Sequence, residues 1–260
     1  MGYQHIQVRT EEPLGRITLD RPDSINTLSL DLLGEVISAL DAFSEDPAVR
    51  VIIIDGEGRG FSVGHDLNEM IERDRSFYDH LFATCSVMME KVQSIPQPVI
   101  AKVHGIAAAA GCQLVAACDL VVASEDSRFG TTGLKVGLFC STPMVPLSRA
   151  IGRKRAMEML LTGDVIDAAT AADWGLVNRV VPLEALEDET VELAMKIAGY
   201  SSEVVGLGKT AFYRQLEMAE SDAYAMAKDV IAGNAAIADG QEGMKAFLEK
   251  RQPVWTDSAN

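Results

Sequence analysis

Apolar positions along the chain change period in an ordered way. Ile6 and Val8, then Ile17 and Leu19, alternate with polar residues on either side of Pro13-Leu14-Gly15. That spacing predicts two strands joined by a turn. Leu30, Leu33, Val36, Ile37, Leu40 and Phe43 then recur at helical spacing behind Ser29, a residue suited to an N-cap. Val51-Ile52-Ile53-Ile54 is an unbroken β-branched run, the pattern of a strand covered on both faces. Asp66-Leu67-Asn68-Glu69 has the spacing of a helix-capping pair, and a long helix is predicted over 77–92. Residues 99–103 read as another buried strand, followed by a helix and the strand Leu120-Val121-Val122. Strands and helices alternating over short connections predict an α/β architecture of repeated ββα or βαβ units. From about Ala156 the pattern turns helical, with helices expected over 183–198, 204–219 and 223–238. A last helix is expected from Asp239, burying Met244, Phe247 and Leu248 and stopped by Pro253. The division expected is a core over 1–200 and a helical region over 201–260.

Composition narrows the function. Hydrophobic residues make up 48% and charged residues 23% of the chain, which excludes disorder. The net charge is −15 and the pI near 4.7. Phosphate contacts need clustered Lys and Arg, so neither a nucleic acid nor an anionic membrane is an expected partner. The longest apolar run, 106–123, carries Gln113 and Asp119 and reads as a buried helix leading into a buried strand rather than a membrane span. The opening MGYQHIQVRTEEP has no apolar core, so no signal peptide is read there. Ile6 stands where a myristoylation signal needs Ser or Thr. Cys85, Cys112, Cys118 and Cys140 form no C-x-x-C pair, which predicts a reducing, intracellular setting, taken as the cytoplasm. His5, His65, His80 and His104 are scattered, and no metal site is expected.

Three short motifs fail on their own terms. Gly56-Glu57-Gly58 follows a strand, but Phe61 stands where a dinucleotide fingerprint needs its third Gly. Gly208-Lys209-Thr210 resembles the end of a P-loop, but Glu203 stands at its first Gly. Gly60-Phe61-Ser62-Val63-Gly64 matches G-x-S-x-G, yet a Gly-rich stretch separates it from its strand and no late His completes a triad. The same loop supports another reading. Gly64-His65 lies at the start of a helix capped by Asp66, and Ala110-Gly111 at the start of the helix through Gln113 and Leu114. Helix N-termini expose unpaired N–H groups, and two that converge form an oxyanion hole. The small residues 107–111 let a ligand approach the backbone; a tightly packed turn has the same pattern, and both readings stand.

These residues carry a resemblance. Phe61–Leu67 resembles the first oxyanion loop of the enoyl-CoA hydratase/isomerase (crotonase) family. Pro98–Gly105, running into Ala109–Leu114 and Cys118-Asp119, resembles its second signature. Arg21-Pro22, Asn26 and Leu28, then Leu161-Thr162-Gly163 and Gly175-Leu176-Val177, match further family motifs in order. The resemblance implies a spiral of ββα units with a C-terminal helical trimerisation region, and a homotrimer or dimer of trimers. It implies an acyl-CoA thioester as ligand, with coenzyme A as part of the substrate and no other cofactor. By resemblance, the N–H groups of His65 and Ala110 polarise the thioester carbonyl. Ser24 and Ile25, together with Asp66, Leu67 and Asn68, line the CoA side. Ser62, Gly64, Gly111, Thr132 and Gly133 belong to the substrate-binding set, and Phe247 and Lys250 reach toward a neighbouring subunit's CoA.

One departure separates this chain from the family's hydratases. They use two glutamates as general acid and base; Gln113 stands at the first position and Gly133 at the second. A neutral amide takes up no proton near pH 7, and Gly has no side chain. Gly137–Pro143, Gly64–Leu67 and Asp239–Gly243 make the chain similar to the family's enoyl-CoA hydratase domain-containing subgroup. Three uses of the scaffold follow: a hydratase/isomerase-like enzyme of acyl-CoA or fatty-acid metabolism, a decarboxylase or thioesterase, and a non-catalytic acyl-CoA binder. Gln113 and the His65 ring are the side chains left to assist.

Overall fold

Strands β1 (Ile6–Glu11) and β2 (Leu14–Leu19) pair antiparallel as the expected hairpin, in a computed structural model that describes residues 2–256. Met1, at the head of the N-terminal segment, and 257–260, at the end of the C-terminal region, lie outside the described residues. Helix α1 (Leu30–Glu45) begins at Ser29, whose side chain accepts the Leu32 N–H. After β3 (Val51–Gly56) come a one-turn helix α2 (Leu67–Met70) and the long α3 (Arg75–Ser94). Next are β4 (Val99–Val103), β5 (Ile106–Ala108) and α4 (Ala110–Ala117), then β6 (Leu120–Ser124) and β7 (Arg128–Gly130). Helices α5 (Met144–Ile151) and α6 (Arg153–Thr162) lead to β8 (Val165–Asp167), α7 (Ala168–Trp174) and β9 (Arg179–Val181). Four helices finish the chain: α8 (Leu186–Ala198), α9 (Ser202–Gln215), α10 (Glu220–Ala236) and α11 (Ala238–Glu249).

The main sheet has six strands in the order β1-β2-β3-β4-β6-β9, all parallel from β2 onward. A second sheet of three strands has the order β5-β7-β8. Strands β4 and β6 of the main sheet are each followed at once by a strand of the small one, which is the ββ step of a ββα spiral. The apolar run of β3 splits between two cores. Ile52 and Ile54 join the larger one with α1, α3 and α4, while Val51 and Ile53 join the smaller one beneath α8. Burial on both faces explains why that strand shows no polar alternation.

Three expectations need correction. The stretch after Ala156 is not helical throughout, because β8 and β9 interrupt it. Strands of three residues are too short to show a period. Glu69 does not complete a capping box on its own helix; its Oε2 accepts the Leu30 N–H at 3.0 Å and so caps α1 instead. Met244, Phe247 and Leu248 are not buried, being 49%, 83% and 80% exposed. The α11 face that periodicity marks as apolar is left uncovered by the described residues.

Helix α9 is tied to the core by a buried cluster. Lys209 Nζ bonds Asp119 Oδ2 at 2.7 Å and the Val92 and Gln97 carbonyls at 2.8 Å each. Asp119 also accepts from the Val99 N–H and the Tyr213 hydroxyl. Burial pulls the Lys209 ammonium below its ordinary value, and Asp119 opposes that pull. The Gly-Lys-Thr triplet therefore serves helix anchoring, and Asp119 ties three elements together.

Candidate active site

The Gly64–His65 loop and the start of α4 are pressed together by backbone bonds. Ser62 N–H donates to the Ile106 carbonyl at 3.1 Å, and Ala108 N–H to the Ser62 carbonyl at 2.8 Å. Glycines permit this approach. A Cβ on Gly111 would stand 2.3 Å from the Ser62 oxygen. Gly64 has φ of +90°, and a Cβ there would stand 3.0 Å from the Ala110 nitrogen. The loop behind them is held by Asn26, whose amide donates to the Glu57, Gly60 and Phe61 carbonyls and accepts the Arg21 N–H. Ser62 is fully buried with its hydroxyl donating to the Asn26 carbonyl, so it offers no nucleophile.

The result is a pair of backbone donors. Among the described residues, neither the His65 N–H nor the Ala110 N–H finds an acceptor. Ala110 opens α4, where helix geometry supplies no partner. Ala109, just before it, has φ 48° and ψ −119°, a conformation that costs a non-Gly residue of order 1–3 kcal/mol. Its own N–H donates to the Gly130 carbonyl at 2.8 Å, which holds the strained turn.

Beside this pair lies a cavity of about 750 Å3. Ser24 and Thr27 line it, then Val63, the 65–68 segment and Met70, then Ala109 and Ala110, and finally Thr132, Gly133 and the turn through Pro143. Of the candidates read from the sequence, Ser24, His65, Asp66, Leu67, Asn68, Ala110, Thr132 and Gly133 thus meet at one place. Ile25, Ser62, Gly64, Gly111 and Gln113 do not line the cavity. Ser62, Gly64 and Gly111 shape its wall from behind. Phe247 and Lys250 sit at the end of α11, away from the cavity of their own chain.

The polar side chains around the cavity differ in their partners. Burial alone would raise the Asp66 carboxyl, but Arg21 at 2.8 Å and the Asn68 N–H outweigh it and hold it below its ordinary value. The His65 ring stands edge-on to Phe82, with centroids 5.3 Å apart, and Nδ1 lies 3.4 Å from the Leu28 carbonyl. Burial lowers its pKa, so the imidazole is neutral at pH 7. Among the described residues six buried side-chain atoms have no partner, Gln113 Oε1 and Thr131 Oγ1 among them, but only His65 Nε2 belongs to a residue that lines the cavity. Of the lining residues only Lys135 carries a permanent positive charge, so no basic patch that would hold CoA phosphates is gathered here.

The place of a second carboxylate is filled. A Cβ on Gly133 would stand 2.5 Å from the Leu138 oxygen and 2.8 Å from Cys140 Sγ. Burial raises the Cys140 thiol and pushes Cys112 up to about 12, so neither is a ready nucleophile. Met70 went unnoticed in the sequence, and the sequence alone does not place Phe82 there, because nothing local links α3 to a loop before it.

A ββα spiral whose central helix starts beside an apolar cavity is the fold of the crotonases. The enoyl-CoA hydratase/isomerase family model matches residues 9–258, and the chain belongs to that family. Among curated relatives, the human "Enoyl-CoA hydratase domain-containing protein 3, mitochondrial" is 49% identical over 251 residues, covering 95% of this chain and 82% of that protein. Its Xenopus laevis counterpart is 48% identical over 252 residues, covering 96% and 86%. The crystal structure of human enoyl-CoA hydratase domain-containing protein 3 aligns with a TM-score of 0.95 and 47% identity, covering 97% of this chain and 100% of that one. That of a Mycobacterium smegmatis enoyl-CoA hydratase gives a TM-score of 0.95 and 47% identity, covering 97% and 99%.

These names correct the expected location. Both vertebrate relatives are named mitochondrial, which overturns the cytoplasmic reading. The expectation rested on thiols, which the structure leaves buried and unpaired. That chemistry does not distinguish one reducing compartment from another.

Proposed function

We propose that this chain binds an acyl-CoA thioester with its carbonyl oxygen between the N–H groups of His65 and Ala110, and that it is not a hydratase. The observation that carries the reading is the acceptor-free N–H pair at the edge of an apolar cavity. Two fixed donors aimed at a thioester oxygen lower the energy of its enolate. Hydration needs more: a carboxylate to activate water and an acid to protonate the enolate carbon. Gln113 and Gly133 supply neither, and Leu138 and Cys140 fill the space a side chain at 133 would need. Coenzyme A enters as part of the substrate, and no further cofactor is proposed.

A second reading keeps the enolate and changes its source. Asp66 is the one carboxylate lining the cavity, and it is engaged by Arg21. Loss of CO2 from a malonyl-type thioester yields the enolate without a base, so decarboxylation suits a site of this composition. Thioester hydrolysis requires a positioned water, for which Gln113 and His65 are the candidates. For assembly we propose a trimer or dimer of trimers through α9–α11. Helix α10 buries no residue within its own chain, and Phe247 is 83% exposed. Lys250 of a neighbouring copy then supplies phosphate contacts that the cavity lacks.

The test is a pooled panel of enoyl-, 3-hydroxyacyl-, malonyl-type and saturated acyl-CoA, read by mass and retention before and after incubation. Retention through gel filtration, with no gain of water on the enoyl thioesters, is expected. Water addition would overturn the exclusion of hydration, and loss of CO2 or of free CoA would select the second reading. A panel in which nothing binds would remove the thioester reading altogether.

A further inference from the structure

We infer that a second cavity, at the amino ends of the parallel strands, binds a linear organic polycation that spaces two or more ammonium groups along its chain. Pro13, Arg50 and Gln97 stand just before β2, β3 and β4 and line this space of about 880 Å3. The end of α1 at Glu45 and the first turn of α9 at Glu203 complete its wall. The volume lies within the roughly 300–1,000 Å3 of small-molecule sites. It shares no lining residue with the cavity at the N–H pair, whose walls come from segments beyond the carboxyl ends of the same strands. The site therefore stands or falls apart from the thioester reading.

Two observations point to the ligand. The first is a buried amide used on one side only. Gln97 is 9% exposed, and its Nε2 donates to the Phe43 carbonyl at 2.8 Å and the Val49 carbonyl at 3.3 Å. Those two acceptors fix which end of the amide is nitrogen. They leave Oε1 buried with no partner among the described residues, on a side chain that lines the cavity. Such an acceptor is rare, and the group that meets it must carry an N–H or O–H. The second observation is charge. Glu12, Glu45, Asp46 and Glu203 line the cavity against one cation, Arg50, whose Nη1 donates to the Ala198 carbonyl at 3.0 Å. Glu12, Glu45 and Glu203 enter no ion pair among the described residues. The ligand therefore brings both donors and positive charge. Among the described residues, no three carboxylates, His or Cys come close enough together to hold a metal ion. The carboxylates are spread around the cavity, so a compact cation reaches only part of them. A chain of spaced ammonium groups meets several and still donates to Gln97 Oε1.

The experiment titrates the full chain with spermidine, putrescine and n-butylamine by calorimetry, with magnesium ion as a compact competitor. Spermidine is expected to bind one per chain, at least about tenfold more tightly than n-butylamine and with putrescine between them. Glu45→Gln with Glu203→Gln should weaken spermidine about tenfold. The same charge removed beyond the carboxyl ends of β6 and β9, by Glu125→Gln with Glu184→Gln, should leave its affinity unchanged. Gln97→Leu should weaken it about tenfold, since a charge-assisted bond is lost. That variant also gives up two bonds to carbonyls, so its fold is checked by circular dichroism; the glutamate pairs carry the test if it does not fold. Equal losses in the two glutamate pairs would reduce the effect to diffuse attraction by a chain of charge −15 and overturn the site. Magnesium that displaces spermidine at equal concentration would overturn the extended ligand. A folded Gln97→Leu chain with unchanged affinity, or no spermidine binding at all, would overturn the inference outright.

Discussion

At Lys209, the ammonium and both Asp119 carboxylate oxygens have partners; at the cavity, His65 Nε2 has none among the described residues. Both places bury polar groups within one core. The first spends three donors on three acceptors and joins α9 to α3 and the sheet. The second leaves an imidazole nitrogen unpaired beside a cavity that a ligand can enter, at about 1–3 kcal/mol if unmet. Unpaired buried polar groups are rare in native structures and call for an explanation. Here the explanation is placement: the His65 ring lines the cavity beside the N–H pair. The difference separates polar residues kept for stability from polar residues kept for a visitor.

The largest effect should come from breaking the paired cluster. Lys209→Ala leaves the Asp119 carboxylate buried without its cation and should cost about 3–5 kcal/mol in urea unfolding. A loss below about 1 kcal/mol would erase the contrast. Next is Gly133→Ala, whose Cβ must push against the Leu138 carbonyl. It should cost about 1–3 kcal/mol, and Cys140 should react faster with a thiol reagent as its loop lifts. An unchanged melting temperature would show that the turn yields, and would revive a carboxylate at 133. Gln113→Leu should change stability by less than about 1 kcal/mol, because the amide loses no hydrogen bond its oxygen now has. A drop of several kcal/mol would move Gln113 into the paired class.

The smallest effect is the dependence on pH. Burial sets the folded pKa of His65 below the ordinary 6.5, so the unfolded chain takes up its proton first. Stability from the neutral ring is full above pH 6.5 and declines as pH falls through that value. His65→Gln should flatten this limb of the melting profile. Glu187 acts lower: hydrogen-bonded to Arg16 and Lys102, its carboxyl lies near 2 instead of 4.5. Its contribution is present above 4.5 and is lost as pH falls toward 2. A His65→Gln profile that matches the wild type above pH 6.5 and is flatter below it would locate the strain at the cavity.

Much of the fold was legible because burial leaves a mark on the chain. Ile52–Ile54 and Val99–Ala101 are apolar on consecutive positions since helices cover both faces of the sheet. Ser29 and the period of α1 fixed that helix to within a turn. Strands β8 and β9 left no mark, being three residues each. Phe247 misled because its period is real while no described residue covers it. For the site, the loop at 64–68 and the start of α4 were visible as local patterns. The cavity wall was not: Phe82, Met70 and Leu138 come from three segments that only folding brings together. Glu69 failed in the same way, since a capping motif looks local and its acceptor role here is not.

That bond between Glu69 and Leu30 spans 39 residues. The first amide of α1 is closed by the same short segment, 65–70, that walls the cavity. If that segment lifts to admit a ligand, the Leu30 proton meets water. Hydrogen exchange at one amide of the first helix therefore keeps time for the door of the cavity, and a bound ligand should slow that clock.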